Sequence, residues 1–159
     1  MIIIGYQGIG KSTISGVLNC IDLECGNFYV GGCRQEDWYK IYANIALDIS
    51  RQGYVVLTPS HAALRRCLHD KNKTGERIFV CFPALELKSD WIERLQQRYI
   101  SEPSDKNLRA LANAKERYAE NIAEIKDDAE RFGFGVIEIG SMDYSLCDMI
   151  RGVCNKKES

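Results

Sequence analysis

Residues 5–12 read Gly-Tyr-Gln-Gly-Ile-Gly-Lys-Ser and complete the pattern G-x-x-x-x-G-K-[ST]. Each residue type has a chemical reason to be there. Glycines let successive backbone N–H groups turn inward and approach phosphate oxygens with no Cβ in the way. Lys11 is long enough to bridge the β- and γ-phosphates of a nucleotide, and the Ser12 hydroxyl is placed to ligate Mg²⁺. Fixed positions of this kind coincide by chance in under about one chain in a hundred of this length, so the segment is read as a site. Gly5, Gly8, Ile9, Gly10, Lys11, Ser12 and Thr13 are the expected contacts to ATP.

The elements around the loop support that reading. Met1-Ile2-Ile3-Ile4 forms a short apolar strand just before it. Ile14, Val17 and Leu18 then fall at helical spacing, which predicts a helix whose positive end faces the same anion. Residues 20–24 read as a second strand. A helix is expected over about 35–51, where Trp38, Ile41, Tyr42, Ile45 and Ile49 recur at three- and four-residue steps. Residues 54–58 make a continuous apolar strand of the buried parallel kind, and Ser60 is expected to cap a helix from 62 to about 69. A fourth strand over 77–82, helices over about 89–99 and 107–132 (the latter with Leu108, Leu111, Tyr118, Ile122, Ile125, Ala129 and Phe132 as its apolar pattern), a fifth strand over 136–139 and a last helix over 144–153 follow. Strands alternating with helices imply an α/β domain with a parallel sheet and right-handed crossovers.

Five strands, a glycine loop after the first, and an arginine-bearing helical segment between the fourth and fifth resemble the small P-loop kinases. Nucleoside monophosphate kinases and shikimate kinases belong to that group. The resemblance spans essentially the whole chain. It implies a three-layer α/β/α P-loop NTPase fold, a single domain over 1–159, with a five-stranded parallel sheet ordered 2-3-1-4-5. It also implies an acceptor-binding segment at about 26–52 and a lid-like segment at about 88–110.

The likeness assigns further residues. Asp22 and Glu24 resemble the paired acids that shikimate kinases carry after the second strand. One such carboxylate orients Mg²⁺ through water, and the other accepts the proton or hydrogen bonds of the acceptor hydroxyl. Glu24 is one methylene longer than the family's acid, so which of the two is the base stays open. By the same likeness Ser60 and His61 line the acceptor pocket, and Arg65 or Arg66 holds an anionic group of the acceptor. Arg94 and Arg98, four apart on one helical face, stand where lid arginines surround the migrating phosphoryl group, with Arg94 also touching ATP. Arg109 is a further candidate. The acceptor segment gathers Phe28, Tyr29, Trp38, Tyr39 and Tyr42 around Arg34: rings to stack on a base, and a guanidinium for a phosphate. Trp38 and Tyr42 at helical spacing fit a core position better than a stacking one.

A chain of 159 residues with 27% charged and 45% hydrophobic residues fits one globular domain. Net charge is −1, which provides no field to attract nucleic acid or a membrane, and neither is an expected partner. No apolar run approaches a membrane span and no signal peptide is expected ahead of Met1, so the expected compartment is the cytoplasm. The seven cysteines include no C-x-x-C pair and form no zinc-like set with His61 or His69. They read as buried, reduced thiols.

The leading expectation is therefore a Mg·ATP-dependent kinase of a small acceptor, nucleotide-like rather than sugar-like, with ATP and Mg²⁺ as its cofactors. The alternative is a P-loop ATPase or nucleotide-binding regulatory module acting on a macromolecular partner. GTPase switches carry D-x-x-G after the third strand and N-K-x-D for guanine. Thr58-Pro59-Ser60-His61 and Phe82-Pro83-Ala84 match neither, and no Walker-B acid is present at the third strand.

Overall fold

Three consecutive isoleucines make the centre of the sheet. In the computed structural model, which describes residues 1–30, 33, 34 and 36–155 (side chains at 27, 29, 30, 33 and 34 excepted), β1 spans Ile2–Gly5. It is buried at every position and paired in parallel along both edges, which is why its sequence is apolar throughout instead of alternating. The other sheet strands are β2 (Cys20–Asp22), β5 (Val55–Pro59), β6 (Ile78–Pro83) and β7 (Gly135–Ile139). Their order is β2-β5-β1-β6-β7, all parallel, so the five strands lie in the expected 2-3-1-4-5 arrangement. Two-residue strands β3 (Tyr29–Val30) and β4 (Cys33–Arg34) pair antiparallel apart from that sheet, a hairpin the sequence did not announce. β7 alternates, with Ile137 and Ile139 buried between exposed Val136 and Glu138, as an edge strand should. Because the chain leaves β1 for one side of the sheet and later crosses to the other, a crevice opens at the carboxyl ends of the central strands.

The helices are α1 (Trp38–Arg51), α2 (Ala62–Lys71), α3 (Lys88–Ser101), α4 (Asp105–Phe132) and α5 (Leu146–Asn155). α1 packs against β1 and β5, and α4 packs against α2, α3, β6 and β7. The buried stripe of α4 is Asn107, Leu111, Ala114, Tyr118, Ile122, Ile125 and Ala129, at steps of three and four. Ser104 caps α4 by accepting the Asn107 N–H at 3.2 Å. The helix kinks at Arg117, whose φ of −131° is not helical.

Four sequence expectations need correction. The helix after the glycine loop does not form: a 3-10 turn spans Lys11–Thr13, and the chain then descends to Cys20 through successive three-residue turns. Ser12, Thr13, Ser15, Gly16 and Val17 are weak helix formers, and Gly16, Leu18 and Asn19 all take positive φ. In α1 the buried face is Tyr42, Ala43, Ala46, Leu47 and Ser50, while Ile41 and Ile45 are exposed. The small alanines let the helix approach the sheet closely, and that outweighs the apolar count on the neighbouring face. Ser60 does not cap α2; His61 stands at the cap position, with no side-chain cap bond. On α4 Leu108 is exposed and Asn107 is the buried residue.

Cys20, Cys67 and Cys81 are buried, Cys25 and Cys147 are partly so, and Cys154 is exposed; all six are free thiols. No helix among the described residues is long and apolar enough to cross a membrane.

Candidate functional site

The glycine loop leaves β1 at Gly5 and turns toward β6, where the Tyr6 N–H donates to the Cys81 carbonyl at 2.8 Å. Gly8 and Gly10 take φ of +85° and +89°, values that exclude an ordinary side chain without strain. Space adds to this at Gly8, where a Cβ would come within 2.9 Å of the Leu95 side chain. Three hydrogen bonds fasten the loop to its surroundings. The Trp91 indole N–H donates to the Gln7 carbonyl at 3.0 Å, and the Tyr144 hydroxyl donates to the Ile9 carbonyl at 2.9 Å. The Gln7 amide donates to the Ala110 carbonyl at 2.8 Å. With its outer face held by α3, α4 and the segment after β7, the loop keeps its concave face for Lys11.

Lys11 folds back into that concavity and donates to the Gly5 and Tyr6 carbonyls at 3.0 and 3.3 Å. Burial pushes its ammonium down to about 8, with Asp22 pulling the other way. The Asp22 carboxyl is raised above its ordinary value by burial, against the nearby charges of Lys11, Lys106 and Arg98. These groups share one cleft of about 700 Å³.

That cleft brings most of the candidates together. The loop contributes Gly5, Gly8, Gly10, Lys11 and Ser12, and the chain at the end of β2 contributes Asp22 and Glu24. Ser60, His61 and Arg65 form the wall beyond β5. Arg98 and Arg109 close the opposite side, with the Arg109 Nε donating to the Asp105 carbonyl at 3.2 Å. Glu24 is tied across the mouth to Lys106, whose ammonium meets both carboxylate oxygens at 3.0 Å.

Other candidates lie elsewhere. Ile9 is buried, and the Thr13 hydroxyl donates to the Gly10 carbonyl at 2.6 Å, so both shape the loop without lining the cleft. Arg94 lies beside the stacked Trp91 and Tyr144 rings, its guanidinium carbon 5.3 Å from both centroids. It therefore parts from Arg98, which turns toward Asp22. Arg66 is exposed on the surface of α2. The side chain of Arg34 lies outside the described residues. Phe28, Trp38 and Tyr42 pack on one another, at centroid separations of 5.2 to 6.2 Å, and none of them lines the cleft. Tyr42 is fully buried, with its hydroxyl donating to the Leu23 carbonyl. The His61 ring meets Trp38 edge-on at 5.3 Å.

α4 supplies more of the wall than the sequence reading allowed. Lys106, Asn113, Arg117, Asn121 and Glu124 all face the cleft beside Arg109. A signal was present: polar residues at 106, 109, 113, 117, 121 and 124 recur at helical steps and form a second stripe beside the apolar one.

Among the described residues, no three His, Cys, Asp or Glu side chains converge into a metal site. Of the oxygen groups lining the cleft, the Ser12 hydroxyl belongs to the loop and the Asp22 and Glu24 carboxylates to the end of β2, the kind of ligand a hard cation takes. No protein-family model matches the chain, and the search of curated proteins finds no match.

Proposed function

We propose that the chain is a P-loop kinase with a three-layer α/β/α NTPase fold, which transfers the γ-phosphoryl group of ATP to a small nucleotide-like acceptor. One observation carries the reading: Lys11, Ser12, Asp22 and Arg98 all line a single cleft at the carboxyl ends of the central strands. Magnesium would arrive with the nucleotide and neutralise phosphate charge, with the Ser12 hydroxyl as its direct protein contact and Asp22 reaching it only through water.

In this reading the acceptor hydroxyl oxygen attacks the γ-phosphorus in line. Its proton passes to Asp22, whose desolvated carboxylate is the more basic for being buried. The bond from the γ-phosphorus to the bridging oxygen breaks, and ADP leaves with the electron pair. Lys11 and Arg98 face the charge that gathers on the equatorial oxygens. Because the loop is followed by a 3-10 turn of three residues, its backbone amides and Lys11 carry the phosphate without a helix behind them.

The direct test pairs a non-hydrolysable Mg·ATP analogue with a panel of nucleoside monophosphates, nucleosides and small hydroxy acids in a thermal-shift assay. The analogue should raise the melting temperature, since a ligand at a hundred times its Kd stabilises by about 2.7 kcal/mol. One acceptor should add to the shift and release ADP when ATP itself is supplied. No shift with the analogue sinks the reading.

The lowered Lys11 value gives this reading a pH signature. A bound polyphosphate needs the ammonium form, so above about pH 8 binding must first return a proton to Lys11. Affinity for the analogue should be level from pH 7 to 8 and then fall toward about tenfold per pH unit. Calorimetric titration from pH 7 to 9.5 measures it. Lys11→Met should bind weakly and without this slope, and a level profile in the parent protein would refute the assignment.

A further inference from the structure

Arg65 is 2% exposed, and an arginine that deep is seldom left with unused donors. Its Nε donates to Asp128 Oδ2 at 2.6 Å and its Nη1 to the Ser60 carbonyl at 2.6 Å. Its Nη2 has no hydrogen-bond partner although it is buried. The carboxylate that faces it, Glu124, stands off at 3.9 Å. The other oxygen of Glu124 faces the Nη2 of Arg117 at 3.7 Å, while the Arg117 Nε is held by Glu120 at 2.9 Å. Two guanidiniums thus have their Nε edges fixed by Asp128 and Glu120 and point their remaining Nη2 groups at the two oxygens of one loose carboxylate. Glu124 is 55% exposed, free to swing toward solvent, and it lines the cleft with Arg65 and Arg117.

We propose that this end of the cleft is an anion site for a phosphate monoester on the acceptor, and that Glu124 is its built-in competitor. The inference rests on the kinase reading for the word acceptor, but the site is argued from its own geometry. A carboxylate has two oxygens in one plane and cannot bond both Nη2 groups well here; a phosphate has three terminal oxygens spread tetrahedrally and can engage both forks. Charge explains why Glu124 must leave. With it in place, two arginines face three carboxylates, and an incoming dianion is repelled. With Glu124 turned outward the arginines and their two positioning acids balance, and Arg109, on the same cleft wall, supplies the surplus.

Isothermal titration with inorganic phosphate, and with AMP, GMP, CMP and UMP beside their four nucleosides, tests this. Glu124→Gln should bind phosphate and the preferred monophosphate about tenfold more tightly than the parent, with nucleosides unchanged. Arg117→Gln, an exposed position that spares the fold, should weaken the same ligands about tenfold. Asp127→Asn removes an equal charge from an exposed site on the same helix and should change nothing. Unaltered phosphate affinity in Glu124→Gln, or an equal gain in Asp127→Asn, overturns the proposal. The Mg·ATP analogue titrated in parallel keeps the two ideas apart. If the analogue fails to bind while Glu124→Gln still tightens phosphate, the kinase reading falls and the anion site stands.

Discussion

Lys11→Ala should lower turnover by roughly 10²- to 10³-fold while leaving the protein folded. The ammonium lies in the concavity of the glycine loop and donates only to the Gly5 and Tyr6 carbonyls, at 3.0 and 3.3 Å. Both carbonyls border the cleft, so water can take over those bonds when the side chain is cut back. Burial already disfavours the charged lysine, as its fall to about 8 records, so its removal relieves desolvation as it removes the two bonds. The melting temperature should therefore stay near the parent value or rise. Turnover should not, because no other cation projects from the loop itself. Arg98 approaches from α3 and can face only one side of the transferred group. Steady-state ADP release and a thermal melt on the same preparation measure both halves. A folded Lys11→Ala protein that turns over at the parent rate removes the loop from the chemistry.

Asp22→Asn should lower kcat by about 10²-fold or more while nucleotide affinity and stability stay close to the parent. The substitution keeps the shape of the side chain and removes only its charge and basicity. If Asp22 were a solvated acid at a strand end, the change would cost no more than about half a kcal/mol and leave kcat alone. Burial raises its pKa, which adds a second readout. The carboxylate must be ionised to take a proton, so kcat/KM should fall as the pH drops through a value above the ordinary aspartate range. The asparagine variant should lack that acidic limb. Parent-like kcat in Asp22→Asn, or an unchanged limb, would move the base to Glu24 or out of the second strand altogether.

The two acids differ in a way that no spacing rule could reveal. Glu24 is half exposed and bound by Lys106 across the cleft mouth, whereas Asp22 sits deeper, within the electrostatic reach of Lys11 and Arg98. Likewise Arg94 and Arg98 look equivalent on one helical face. Yet Trp91 and Leu95 fix the buried side of α3 against the loop, and this leaves Arg94 beside the Trp91 and Tyr144 rings and Arg98 in the cleft.

What the sequence determined by itself was the sheet and the loop. Continuous apolar runs at residues 2–4, 55–57 and 78–82 can only be strands buried on both faces, and the turns and helical patterns between them make those strands parallel. The glycine pattern that ends in Lys11 and Ser12 is legible because it falls within one eight-residue stretch, although Trp91, Tyr144 and the Ala110 carbonyl hold its shape. Tertiary structure decided everything that depends on two elements meeting. The helix expected after the loop gave way to turns, because a segment so poor in helix formers gains more by dropping straight to Cys20 than by winding. The face of α1 was set by where Ala43 and Ala46 allow close approach, not by where the isoleucines fall. The α4 wall of the cleft, where Glu124 faces both Arg65 of α2 and Arg117 of its own helix, follows from how that kinked helix lies across α2 and β6. Periodicity can say that a stripe is polar; only the packing of its apolar neighbour says which cavity that stripe will line.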